Sequence, residues 1–486
     1  MRRNKIVITL FVILLIVDFV FSFFQYYQMP LYGDLEGGIL PDKYVQQIID
    51  DPFGFDTIKS GEKHVNPNRF FSHYFFMKYF QVMPKVFQHF SNPISSVYLS
   101  AAFVKITVQL LFVYLLAFFI SGYKNIRRPE FITAAVLIAP LFQVYGYWSR
   151  MGINDKSIAY TFFYAVPLVL LMLFFIPFFK SEFNKTSYFI LLPLSIVLPL
   201  SGPLIPGVIL IVSSLLFLNC LIKSYKLKER TFIGFLKRVP IHFYLILVPV
   251  SLWSLYSLYL GFFYDINYKS ETIPLLQRYS NLLPGIVSQL IHSLGFPLML
   301  VAIGVNVFLI KKNETLEGKS LIRSLKWIGV FSLLYILLLP LGGYRPYRPN
   351  IVRYDTIMPV AIALIYFFAV SSYYLVSNLK VSKEKYLAGL IICLFIYSGA
   401  DFKGLGKNKC EREALQKIAD SKEMIVHLPG NCKVISWETI SDYKQSEYKA
   451  ELIYFWGITD KKKLFVNDLN ENSEEIRKTE FKKHSN

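Results

Sequence analysis

The sequence predicts an all-α, polytopic membrane protein of about eleven transmembrane helices, with interfacial helices in its first outer loop and a small extracytoplasmic α/β domain at its C-terminus. Three observations carry this. Hydrophobic residues make up 54% of the 486 and charged residues only 17%, where soluble chains carry roughly 25% charged residues. Apolar runs of the length a bilayer-crossing helix needs recur along the whole chain. Lysine and arginine are unequally shared between alternate loops. Those basic loops account for the net charge of +19, so nucleic acid is not expected as a partner.

The expected spans are 6–24, 97–120, 130–146, 158–179, 187–202, 204–222, 239–263, 290–310, 327–341, 356–378 and 386–400. The first carries a basic start and an apolar core like a signal peptide. Phe, Gln and Tyr follow it instead of a small-x-small cleavage site, which predicts an uncleaved anchor. Asp18, inside that span, is expected to face protein rather than lipid. The Gly- and Pro-rich break "LSGPLIP" at 200–206 suits a tight hairpin between two spans.

The loops 1–5, 122–129, 180–186, 223–238, 311–326 and 380–385 hold twenty-two lysines and arginines. The short loops of the other side, 147–157, 201–206, 264–289 and 343–355, hold seven. The positive-inside rule then places the N-terminus in the cytoplasm of a plasma (inner) membrane, and an odd span count places 401–486 outside. Residues 1–400 form the transmembrane domain and 401–486 the external one.

Chemistry-bearing residues concentrate on the outer face. In the first outer loop, 25–96, "DKYVQQIIDD" (42–51) predicts a helix with Tyr44, Val45, Ile48 and Ile49 on one side. The aromatic stretch 69–90 contains Lys78, Pro84 and Lys85, which suits a helix lying in the membrane interface better than one crossing it. In the tail, "CKVISW" and "KLFVND" read as strands with the helix "SEYKAELIYF" between them. Cys410 and Cys432 lie there, where a disulfide is chemically permitted but not required.

Just after span one, "GDLEGG" sets Asp34 and Glu36 two residues apart, followed by Gly37 and Gly38. Two carboxylates at that spacing can share a loop, one accepting a proton while the other holds a substrate hydroxyl or a cation. They also suit the positive, oxocarbenium-like transition state of sugar transfer. A solvated turn is the alternative. In the late loop "YRPYRPNIVRYD", Arg345, Arg348 and Arg353, with Tyr354, stand against the charge bias of their face and suggest an anion, phosphate above all. Lipid head groups or acids of the first loop are the competing partners. Asp155 is a further site candidate, with helix capping before span 158–179 as its alternative. His64 and His73 are others, although their spacing matches no standard metal site and separate surface or interfacial histidines are the simpler reading. No P-loop or GxGxxG is present. No cofactor is implied, and the need for a divalent metal stays open.

In order and sidedness these pieces resemble the GT-C superfamily of membrane glycosyltransferases. The likeness is to the branch of protein mannosyltransferases and lipid A aminoarabinose transferases. The carrying residues are Asp34 and Glu36, the stretch 69–90, and "RYDTIMP" with Arg353, Tyr354 and Pro359. The chain departs from the family pattern in having Asp-Leu-Glu for an adjacent acid pair, and His64 and Pro67 separated where the family has His-Pro-Pro. The resemblance implies an inverting transfer of a sugar from a polyprenyl-phosphate donor to a glycan, lipid or protein acceptor. Asp34 or Glu36 would be the base and an external arginine would hold the phosphate. Two other readings remain. An O-antigen or polysaccharide polymerase or ligase would rest on "RPYRP" and dispense with the first-loop acids. A polysaccharide or lipid transporter should show internal repeats and polar residues at mid-membrane.

Overall fold

The computed structural model describes residues 2–63, 65–142, 156–226, 234, 239–263, 273–291, 294–313, 315–342, 350–399 and 404–468. Among them, eight helices are long and apolar enough to cross a membrane. These are α1 (Arg2–Tyr27), α4 (Pro93–Ser121), α6 (Ile158–Lys180), α8 (Ile205–Lys226), α9 (Phe243–Phe263), α10 (Gly295–Lys312), α11 (Leu316–Leu338) and α12 (Met358–Asn378). Between them come α2 (Lys43–Asp50) and α3 (Phe70–Phe87) of the first loop, then α5 (Pro129–Ile138) and α7 (Lys185–Val197); α13 (Lys383–Gly399) follows α12. Each of the eleven expected spans falls on a helix. Those at 130–146, 187–202 and 386–400 fall on the three shorter ones, α5, α7 and α13; 143–146, 292–293 and 400 lie outside the described residues.

The inner helices are α4 and α12, with 67% and 61% of their apolar stretch buried; α1 and α11 are outer, with 6% and 11%. Burial of this kind follows from packing among apolar helices, since lipid is as apolar as leucine. Local chemistry sets the ends. Asn92 caps α4 by accepting from Ser95 N at 2.8 Å, Pro93 opens it, and Gly122 closes it at φ 76°. At the expected hairpin, Gly202 is held so near α6 that a Cβ there would sit 2.6 Å from Phe163 O.

Two expectations change here. The basic segment 311–326, expected as a loop, is helical from Leu316 onward. Thr315 caps α11 by accepting from Gly318 N at 2.9 Å, so the helix starts well before its apolar part. In α2, Val45 and Ile48 are buried, but Tyr44 points outward, 38% exposed.

The tail folds onto the first loop. It contains α14 (Lys409–Asp420), β1 (Ile425–Pro429), α15 (Glu447–Phe455) and β2 (Leu464–Asp468), the strands pairing in parallel with Ile425 opposite Leu464. The expected strand at "CKVISW" is not formed; the strand is the preceding "IVHLP". Ile435 sits at φ 47° with its N–H donated to Glu411 Oε1 at 2.8 Å, which takes that segment out of any ladder. Cys410 and Cys432 are disulfide-bonded, with their Cα atoms 5.9 Å apart. Trp456, 1% exposed, donates its indole N–H to Phe80 O of α3 at 3.1 Å, so tail and loop share one apolar core.

Two ends of the bundle are defined by contacts. At one, the first loop meets α9 through Tyr256 OH to Phe53 O (2.6 Å) and α6 through Ser72 Oγ to Phe162 O (3.1 Å). At the other, near the C-terminus of α12, Thr315 at the start of α11 bonds Tyr374, and Gly318 of α11 packs close to Ile310 of α10.

Candidate active site

The acid loop is built on an apolar clamp. Leu31, Leu35 and Ile39 are buried at 2%, 0% and 0% exposure, which leaves Asp34 outside and Glu36 at the edge. Leu and Ile at i, i+4 and i+8 around the acids fix where the carboxylates can point.

Asp34 accepts two hydrogen bonds from neutral donors. Ser157 Oγ donates to its Oδ2 at 2.8 Å and Trp437 Nε1 to its Oδ1 at 3.0 Å. The indole is itself positioned by stacking on Tyr32, whose backbone sits at φ 58°, with ring centroids 4.6 Å apart and planes 23° apart. Gly33 permits this approach, since a Cβ there would lie 2.9 Å from Trp437 Cδ1 and 3.0 Å from Trp437 N. A carboxylate offers about four acceptor sites, so two bonds leave Asp34 capacity to take a proton.

Glu36 is differently placed. Its Oε2 is 2.5 Å from Lys449 Nζ, and the lysine is nearly buried, 8% exposed against 30% for the glutamate. Burial pushes the Glu36 carboxyl above its ordinary 4.5. The Lys449 hydrogen bond and charge pull it back without cancelling the rise, to which Asp42 and Asp34 add. Glu36 thus binds the tail to the loop, and the two acids have distinct environments two residues apart.

Beneath this loop lies a buried lysine that no motif reading picked out. Lys105 of α4, 2% exposed, donates to Lys156 O at 2.9 Å and contacts Met29 Sδ at 3.6 Å, touching the segments that carry both Asp34 and its partner Ser157. A lysine deep in an apolar helix was the signal for it. Glu411 of α14 is the second such group. Its carboxylate, 3% exposed, accepts from Leu31 N (2.9 Å), Tyr98 OH (2.7 Å) and Ile435 N (2.8 Å). Burial raises its pKa, opposed by those donors and by Arg412.

Arg353 lies in the turn before α12. Its Nε and Nη2 grip Asp355 Oδ1 and Oδ2, each at 3.0 Å, and Asp355 is fully buried. The turn is braced by Thr356 N to Asp355 Oδ1 (3.0 Å) and Tyr335 OH of α11 to Thr356 O (2.8 Å). The guanidinium fork is therefore occupied, with Nη1 turned to Asn350 O at 3.5 Å. Tyr354 is partly buried in the same turn. The acid that pairs Arg353 is its near neighbour Asp355 in "VRYD", not an acid of the first loop.

His73 is not a surface histidine. It is 7% exposed in α3, with its ring edge-on to Phe163 at 4.6 Å. Among the described residues neither ring nitrogen has a hydrogen-bond partner. Burial, aided by Arg69, pushes its pKa down to about 3, so it stays neutral. His64, Asp155, Arg345 and Arg348 lie outside the described residues. Among the described residues no group of three or more His, Cys, Asp or Glu could hold a metal ion.

Comparison of the chain with protein-family models, with curated proteins and with solved structures returned no match.

Proposed function

We propose that the chain is an integral membrane glycosyltransferase that moves a sugar from a polyprenyl-phosphate donor to an acceptor hydroxyl, with inversion, using Asp34 as base. The observation that carries this reading is the setting of Asp34. It is an exposed carboxylate, oriented by the Trp437 and Ser157 donors, on a loop clamped to the end of an apolar helical bundle. In the step, Asp34 takes the proton of the acceptor O–H as its oxygen attacks C1 of the sugar. The C1–O bond to phosphate breaks on the opposite face, and the polyprenyl phosphate leaves with the electron pair.

Glu36, tied to Lys449, positions the loop rather than the proton. Of the arginines, Arg353 offers the phosphate only the edge of its guanidinium not held by Asp355. Arg345, Arg348 and Tyr354 complete the proposed phosphate site. On this reading all eleven helices cross the inner membrane, the N-terminus is cytoplasmic, and the tail is extracytoplasmic. Its support is the loop count of twenty-two basic residues against seven. An external tail also agrees with its disulfide.

The test is the lipid pool of cells lacking the gene. The reading expects a polyprenyl-phosphate sugar to accumulate, lost again on complementation by the wild-type chain and not by Asp34→Asn. An unchanged pool of lipid-linked sugars would refute it.

A further inference from the structure

At the end of the bundle remote from Asp34, α10 and α11 enclose a cavity of about 520 Å³. Four cations line it: Lys311 at the close of α10, and Lys319, Arg323 and Lys326 along the start of α11. Among the described residues no acid lines it and none of the four forms an ion pair. Basic loops at this end are expected from topology alone, but topology needs only their number, not their convergence. Like charges at i, i+4, as in Lys319 and Arg323, repel on a bare helix. Four such charges around one cavity are stable with an anion between them.

The shape of the face says what kind of anion. Lys319, Arg323 and Lys326 continue at helical spacing into Val330, Leu333 and Leu337, which are 42%, 60% and 44% exposed. One face of α11 thus passes from cations to bare apolar side chains, with Ile310 and Ile322 walling the cavity where the two meet. Gly318 lets α10 come in: a Cβ there would stand 3.0 Å from Ile310 Cγ2. Inorganic phosphate would have no use for the apolar run. A molecule with an anionic head and a hydrocarbon chain fits both parts.

We propose that this face of α11 is a binding site for an anionic phospholipid. The phosphate head group sits among Lys311, Lys319, Arg323 and Lys326, and an acyl chain lies along Val330, Leu333 and Leu337. The site is on the far side of the bundle from the acid loop. Tyr335 marks the other end of α11 by its bond to Thr356 O, and the 23 residues of this helix span roughly 34 Å.

The experiment is native mass spectrometry of the full chain released from nanodiscs of phosphatidylglycerol or of phosphatidylcholine. Phosphatidylglycerol adducts should survive on the wild type, and phosphatidylcholine adducts should not. Removing each cation should weaken retention roughly fivefold, so that the triple variant Lys311→Ala, Lys319→Ala, Arg323→Ala binds on the order of a hundredfold more weakly. If that variant does not fold, the single variants Lys319→Gln and Arg323→Gln give the same readout at the single-cation level. Equal retention of the two lipids, or of phosphatidylglycerol by wild type and variants, would overturn the proposal. Displacement of the lipid by millimolar inorganic phosphate would also overturn it, by showing a site for the free anion.

Discussion

Trp437 and Asp34 are 403 positions apart in sequence, and the indole Nε1 of one donates to the carboxylate of the other at 3.0 Å. The bond joins the tail to the first loop at the carboxylate proposed to take the proton. On the proposed function, it makes the tail part of the site.

Trp437→Phe keeps the ring stacked on Tyr32 and removes the N–H. A hydrogen bond to a charged group contributes about 1.5–3 kcal/mol, so turnover should fall roughly 10–100-fold if that bond aims Asp34 during transfer. Circular dichroism should show no loss of fold. Wild-type turnover in this variant would show that the N–H plays no part.

Lys449→Met leaves Glu36 without the charge that offsets its burial. Glu36 then titrates higher still, so the stability linked to it is present below about pH 4.5 and lost as pH rises through the raised value. The variant should be destabilised at neutral pH and less so at pH 5, and adding Glu36→Gln should restore neutral stability. Melting curves across pH decide it; a pH-independent loss would contradict the account.

Glu411→Ala should loosen the tail. It leaves the buried Leu31 N, Ile435 N and Tyr98 OH without their acceptor, and each buried orphan costs about 1–3 kcal/mol. Faster proteolysis between residues 404 and 468 is the expected result; wild-type protection would mean that Glu411 does not hold the interface.

Arg353→Ala tests the pair with Asp355. Asp355 is fully buried, and breaking a buried pair costs about 3–5 kcal/mol. The variant should lose thermal stability, and Arg353→Ala with Asp355→Asn should recover part of it. A variant as stable as wild type would show that the Asp355 pair does not hold the turn.

Much of the bundle was legible because membrane helices announce themselves by composition. All eleven expected spans fall on helices, and α2 and α3 emerged where periodicity and aromatic density placed them. The early start of α11 is hidden by its charge, which reads as loop, although "TLEG" carries a capping threonine. "CKVISW" reads more like a strand than "IVHLP" does, and no local signal reveals that Ile435 donates its N–H to Glu411. At the site, Asp34 and Glu36 were readable from position and spacing. Their partners Trp437 and Lys449 were not, because contacts across about four hundred residues leave no mark in a short window. Lys105 is visible in the sequence as a charge in an apolar helix.

The central claim is tested most directly by Asp34→Asn. The amide oxygen can still accept from Trp437 Nε1 and its nitrogen can donate to Ser157 Oγ, so the geometry is kept while the proton acceptor is lost. The measurement is sugar transfer from a polyprenyl-phosphate donor in proteoliposomes, with binding of that lipid followed in parallel. Loss of turnover by at least ~10²-fold with binding retained is the predicted result. Near-wild-type transfer by Asp34→Asn would contradict it.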